Sequence, residues 1–298
     1  MENIQLNSDN ISIPVLCYGP GMLSRNLHVS NTFLGKLKYK FALKKLEYNY
    51  YKAICDAIGL GYRFIDYSAA YGREDLLNKA IKSSGVDRKD LFLTTRISNQ
   101  AQYANEVRKE FFTSLKKYGT EYIDILMFHW PVKDHFISTW EEMIRLKEDG
   151  YCKSIGVANC NIHHINEIIK QFGVIPAINQ VEIHPLFTQK ELVRYCQNNG
   201  IVVEAYTPLA RFDERMIRLP LLKKISAKYG KSIAQIILRW HIQNKIIPVF
   251  RSMNKKRMEE NLGVFDFNLS LQEMQLIDGI NINSRLRYDP DNCDFTIL

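Results

Sequence analysis

The chain has 298 residues, 46% of them hydrophobic, and a formal net charge of +8. That supplies a large core, in one big domain or two small ones. No run of about 18 apolar residues occurs, so no membrane span is expected, and the polar start Met1-Glu2-Asn3 lacks the basic-then-apolar pattern of a secretory leader.

Six cysteines stand at positions 17, 55, 152, 160, 196 and 293, with no C-x-x-C and no Cys/His cluster of zinc spacing. They read as reduced, mostly buried side chains of a cytoplasmic protein without a metal. The positive charge admits an anionic partner, either nucleic acid or a phosphorylated cofactor. Lys36, Lys38, Lys40, Lys44 and Lys45 cluster with Phe33, Tyr39 and Phe41 between them. No nucleic-acid-binding motif accompanies them, and a solvated face of a loop or helix is expected there.

In chain order, residues 4–14 alternate apolar and polar around Asn7-Ser8-Asp9-Asn10 and predict a small hairpin. Val15 to Tyr18 predicts a buried strand closed by Gly19-Pro20-Gly21. Residues 22–46 read as a long basic connection, and Glu47 to Ile58 as a helix stopped at Gly59. Seven more short apolar runs follow, at 63–66, 91–95, 123–129, 154–157, 177–181, 201–205 and 246–249. Helical patterns alternate with them, at 74–83, 104–118, 139–148, 162–172, 189–198, 233–243 and 255–262.

Strands without polar alternation are buried on both faces. Eight strand–helix units without a linker predict one α/β domain over residues 1–298, a closed (β/α)8 TIM barrel. An open doubly wound sheet would favour a G-x-G-x-x-G turn after an early strand, and none is present. A second long connection, 206–231, contains an expected extra helix at 216–229; another helix at 271–280 and a tail follow the eighth unit. In such a barrel the loops at the C-terminal ends of the strands carry the chemistry, and the long connections and tail would shape the mouth.

Polar residues sit at those strand ends: Asp66 with Tyr71 beyond it, Arg96, His129, Asn159, Gln180 and Tyr206. Each alone reads as a cap, a core histidine or a packing residue; their convergence on one rim predicts a pocket. After the eighth strand, Arg251-Ser252-Met253-Asn254-Lys255-Lys256-Arg257 places four basic residues before a helix. Cations at a helix N-terminus are unfavourable without an anion, and free N–H groups with guanidinium forks bind phosphate.

The segments Gly61-Tyr62-Arg63-Phe64-Ile65-Asp66, Tyr71-Gly72, Phe128-His129-Trp130-Pro131, Ile155-Gly156-Val157-Ala158-Asn159, Asn179-Gln180-Val181-Glu182-Ile183-His184-Pro185, Ala205-Tyr206-Thr207-Pro208-Leu209 and Arg257-Met258-Glu259-Glu260-Asn261 resemble, in order and spacing, the aldo-keto reductase family over nearly the whole chain. The resemblance implies NADPH-dependent reduction of aldehyde or ketone carbonyls of small molecules. Tyr71 would give the proton, Asp66 would hold a cation beside it and His129 would orient the carbonyl. Asn159 and Gln180 would hold the nicotinamide carboxamide, and Tyr206 would stack on its ring. Arg251, Ser252 and Arg257 would clamp the 2′-phosphate, with Glu260 and Asn261 near the adenine.

The chain departs from the family pattern in several places: Arg96 stands where the family has lysine, Ala158 where it has serine and Arg251 where it has lysine, and the strand-one motif is altered to Cys17-Tyr18-Gly19-Pro20-Gly21. Arginine keeps the charge that lowers a phenol's pKa but does not relay a proton. An NADP(H)-binding sensor or interaction module with weak turnover is therefore the alternative. The expected partner is a small carbonyl compound, with no nucleic acid and no membrane, and the expected state is a monomer.

Overall fold

A computed structural model describes residues 2–6, 9–23 and 32–297. The expected hairpin forms from β1 (Asn3–Leu6) and β2 (Ile11–Pro14), paired antiparallel with Leu6 opposite Ile11. Eight further strands follow: β3 (Cys17–Tyr18), β4 (Phe64–Ile65), β5 (Phe92–Ile97), β6 (Ile123–Phe128), β7 (Cys152–Ala158), β8 (Ile178–Glu182), β9 (Val202–Tyr206) and β10 (Ile246–Phe250). Each pairs in parallel with the next, and β10 closes on β3, with Val249 opposite Cys17. The (β/α)8 barrel expected from the eight apolar runs is the observed fold.

The helices between and after the strands are α1 (Phe33–Gly59), α2 (Glu74–Ser84), α3 (Asn99–Tyr103), α4 (Val107–Tyr118), α5 (Phe136–Glu148), α6 (Ile162–Phe172), α7 (Lys190–Asn198), α8 (Glu214–Ile217), α9 (Pro220–Tyr229), α10 (Ile233–Gln243), α11 (Lys255–Leu262) and α12 (Leu271–Asp278).

Three expectations change. Much of the connection at 22–46 is helix, because α1 begins at Phe33; residues 24–31 lie outside the described residues. Its C-terminal half buries Tyr50, Ala53, Ile54, Ala57 and Ile58, one stripe at helical spacing. The same helix runs back through a segment whose lysines, Lys36, Lys38, Lys40, Lys44 and Lys45, are all exposed, so no buried stripe announces it. The helix expected at 104–118 is α4, which starts later, at Val107, and an unexpected short helix, α3, precedes it; between them Asn105 takes a left-handed φ of 53°. The helix expected at 216–229 is two, because Pro220 cannot continue α8 and instead occupies the first turn of α9.

Strand residues alternate between two environments. Ile125 and Met127 join Phe64, Ile178, Val202 and Ile247 inside the barrel, where Leu6 and Ile13 of the hairpin also pack. Leu126 and Phe128 face the helices. The hairpin therefore fills one end of the barrel, and the loops after the strands surround the other. The tail returns to that mouth. Phe295 packs on Trp130 at 6.1 Å between ring centres, and Asn99 donates to the Phe295 carbonyl at 3.1 Å. No helix among the described residues is long and apolar enough to cross a membrane.

Candidate active site

Inside the upper barrel the alternation carries polar side chains instead of apolar ones. Arg96 and Asp66 are 1% and 2% exposed and form an ion pair. Arg96 also donates to the Tyr67 carbonyl at 3.0 Å and to Gln180 Oε1 at 2.5 Å. The Gln180 amide nitrogen in turn donates to Asp66 Oδ1 at 3.1 Å and to Glu204 Oε2 at 2.6 Å. Thr94 donates to Asp66 at 2.9 Å. Two acids and one cation thus share a buried interior. Burial, and then the nearby Asp66 charge, push the Glu204 carboxyl up to about 8, so it holds its proton near neutrality.

Above this network lies a cavity of about 650 Å³ lined by Asp66, Tyr71, His129, Asn159, Gln180, Tyr206 and Arg251, among others. Burial lowers His129 to about 3, helped by the Arg96 and Arg287 charges; its imidazole is neutral at ordinary pH. For Tyr71, burial raises the phenol's pKa, and the opposing pull of Arg96 is the smaller effect. Arg96 acts in the expected direction but does not bring Tyr71 below an ordinary phenol. Arg96 stays within β5, and Tyr71 lines the cavity above it, so the longer arginine leaves the phenol at the site.

The amide groups are unequally committed. Asn159 donates to the His129 carbonyl at 2.8 Å and accepts from the Tyr206 hydroxyl at 2.8 Å. It retains a second N–H and a second lone pair. Gln180 has spent both N–H groups and retains only one acceptor lone pair. The backbone after these strands is unusual: Asn159, Thr207, Ala210, Arg211 and Phe212 all have positive φ, between 46° and 59°. Such conformations cluster where a binding site constrains the chain.

A second cavity, of about 480 Å³, is lined by Arg251, Ser252, Arg257, Glu260 and Asn261 together with Leu209 and Phe212. The five residues named from the basic segment and α11 are thus brought together, and Leu209, Phe212 and Arg251 border both cavities. Arg251 donates to the Met22 carbonyl at 3.2 Å. Neither Arg251 nor Arg257 has an acidic partner among the described residues. At Gly21, φ is 68°, and a Cβ would come within 3.0 Å of the Arg251 side chain, so glycine makes room for it. Thr207, which lines the larger cavity, has a buried hydroxyl without a hydrogen-bond partner among the described residues.

Two acids escaped the sequence reading because both lie within apolar strands. Glu204 is one. Glu182 is the other; its carboxylate accepts the backbone N–H groups of Leu286 at 2.6 Å and Arg287 at 2.9 Å and lies 3.0 Å from His184. It fastens the tail at the mouth. Away from the cavities, His163, His164 and Asp291 come within 4.8 Å of one another although no zinc spacing marks them. His164 Nδ1 accepts the Asn161 N–H at 3.1 Å, which places its proton on Nε2, facing Asp291. That arrangement suits a hydrogen-bonded contact.

Residues 44–282 match the sequence profile of the Aldo/keto reductase family. The glyoxal reductase of Bacillus subtilis is 39% identical over 239 residues, covering 80% of this chain and 86% of that protein. The methylglyoxal reductase DkgA of Escherichia coli O157:H7 is 39% identical over 241 residues, covering 80% and 87%. A solved Bombyx mori aldo-keto reductase in complex with NADP superposes with a TM-score of 0.82 at 32% identity, covering 97% of this chain and 96% of that one. A barrel whose polar residues gather at the ends of the parallel strands, and a sequence match over most of its length, place this chain in the aldo/keto reductase family.

Proposed function

We propose that the protein is an NADPH-dependent reductase of small aldehydes and ketones. The observation that carries this reading is the meeting of Tyr71, His129 and Asp66 at one cavity, with Arg96 paired to Asp66 beneath it and an arginine-lined cleft sharing its wall. The donor set fits a phosphorylated dinucleotide, because Arg251 and Arg257 present guanidinium groups with no acid among the described residues to neutralise them. They and Ser252 would hold the 2′-phosphate, which favours NADP over NAD. Glu260 and Asn261 would border the adenine. Asn159 would meet the carboxamide as both donor and acceptor, Gln180 as acceptor only, and Tyr206 would lie against the ring. The bound nicotinamide would supply the hydride.

The chain's own residues supply the rest. Neutral His129 donates a hydrogen bond to the carbonyl oxygen and sets its direction. Tyr71 transfers its phenolic proton to that oxygen as the carbon accepts hydride. The resulting phenolate is stabilised by Arg96, which Asp66 and Gln180 hold in place, and regains its proton from solvent. Because burial keeps the phenol's pKa high, Tyr71 retains its proton until the oxygen becomes strongly basic.

That same raised pKa favours the second reading, a cofactor-holding module with weak turnover. NADPH oxidation over a carbonyl panel, for the natural chain, Tyr71→Phe and Arg96→Lys, separates the two. As a reductase, the natural chain turns over and Tyr71→Phe loses about 10²- to 10⁴-fold in kcat with NADPH affinity retained. Turnover by Arg96→Lys alone would establish the second reading.

A further inference from the structure

Beyond His129 the reaction cavity opens into another cleft, of about 670 Å³, lined among others by Asn99, Trp130, Lys109 and Lys117. The two share Met22, Ala70, His129 and Arg287. The cleft shares no residue with the cavity of Arg257 and Ser252. Arg287 therefore borders the reaction cavity where it meets this cleft, whereas Arg257 and Ser252 lie in the other cavity and Arg251 borders the reaction cavity as well.

The two lysines around this cleft are paired, and its remaining carboxylate, Glu110, is hydrogen-bonded without a cation. Lys109 pairs with Glu106 at 2.7 Å, and Lys117 with Glu74 at 3.2 Å. Glu110 accepts the backbone N–H and the hydroxyl of Ser98, each at 2.6 Å. Arg287 is different. Its guanidinium has no acidic partner among the described residues and lies 5.5 Å from the Tyr288 ring centre. Its backbone is anchored, because Glu182 accepts the Arg287 N–H at 2.9 Å. Its charge reaches the reacting centre, where it adds to burial and Arg96 in holding His129 neutral. An exposed, unneutralised guanidinium, carried on an anchored backbone and bordering the same cavity as the residue that would orient the carbonyl, is a receptor for a planar anion.

We propose that Arg287 is a specificity-determining residue that binds a carboxylate of the substrate, so that the preferred substrates are aldehydes or ketones bearing a carboxylate. This rests on the reductase reading. The carboxylate would lie in the cleft beyond His129 while the carbonyl meets Tyr71, and binding energy from the remote anion would position the reacting carbon.

The test compares 4-carboxybenzaldehyde with its neutral methyl ester, methyl 4-formylbenzoate, as substrates of the natural protein and of Arg287→Gln. The natural protein should favour the acid, and Arg287→Gln should lower kcat/KM for the acid about 10- to 100-fold, mainly through KM. The ester should change far less, and the KM for NADPH should hold. An acid-to-ester ratio unmoved by the substitution overturns the proposal. So does a rise in the NADPH KM with both aldehydes affected alike, which would assign Arg287 to the cofactor. A turnover-independent arm titrates the NADP⁺-loaded protein with 4-(hydroxymethyl)benzoate by calorimetry. Binding that weakens about tenfold or more in Arg287→Gln supports the carboxylate site even if neither aldehyde is reduced, an outcome that would sink only the reductase reading. Equal affinity in the two proteins overturns the site.

Discussion

The barrel interior and the rim treat charge in opposite ways. Inside, Arg96, Asp66, Gln180 and Glu204 bind one another, and the one acid in excess is kept neutral. At the rim, Arg251, Arg257 and Arg287 carry charge that no acid among the described residues answers. Buried charges need partners within the fold, because desolvation is severe. Charges at a cavity wall stay wet until a ligand supplies the counter-ion. The difference separates side chains that build the site from side chains that read what enters it.

The strongest way to break the interior network is to remove its cation. Arg96→Met leaves Asp66 buried without a charge partner and should cost about 3–5 kcal/mol of stability. Arg96→Lys keeps the charge but cannot span the Tyr67 carbonyl, Asp66 and Gln180 together. It should retain most of the stability and release Gln180 Oε1. Urea unfolding of the three proteins checks this, and equal losses for Met and Lys would show that the fork geometry, rather than the charge, holds the interior.

A subtler change tests the neutral acid. Glu204 is raised from 4.5 to about 8, so between these values the native protein holds a proton that the unfolded chain has released. Its contribution is fully present below pH 4.5, declines as pH rises through that window and is gone above about 8. Glu204→Gln keeps the acceptor for Gln180 and removes the titration. The variant should match the natural chain near pH 4.5 and exceed it at pH 7 by roughly 3–4 kcal/mol at most, from about 1.4 kcal/mol per pKa unit. Melting temperature against pH reads the difference, and parallel curves would show that Glu204 is ionised in the folded protein.

The two regions were not equally legible. The barrel could be read because eight short apolar runs, buried on both faces, have few other folds available. The strand-end residues followed from that topology, and Asp66, Tyr71, His129, Asn159, Gln180 and Tyr206 do line one cavity. Side-chain partners could not be read. Gln180 was expected to serve the cofactor, but its donors belong to Asp66 and Glu204. Glu204 and Glu182 hide in strands where single acids break no pattern. The early course of α1 was missed because its lysine-rich half lies in solvent and carries no amphipathic signal. Arg287 was only part of an irregular tail until the fold brought it beside His129.

The rim half of the comparison is sharpened by substituting its arginines. If Arg251 and Arg257 await a phosphate, Arg257→Ala and Arg251→Ala should each weaken NADPH binding about 10- to 100-fold, the loss of a charge-assisted contact worth about 1.5–3 kcal/mol. NADH lacks the 2′-phosphate, so its affinity should change little. The natural chain's preference for NADPH should also shrink as salt rises, since an exposed phosphate–arginine contact is screened. Fluorescence titration of both cofactors, at low and at physiological salt, measures all three effects. Stability should stay within about 0.5 kcal/mol, as for exposed substitutions generally, because neither guanidinium holds another part of the fold by an ion pair. Equal weakening of NADPH and NADH would mean that these arginines hold the pyrophosphate or the adenosine, and the choice between the two cofactors would then lie elsewhere on the rim.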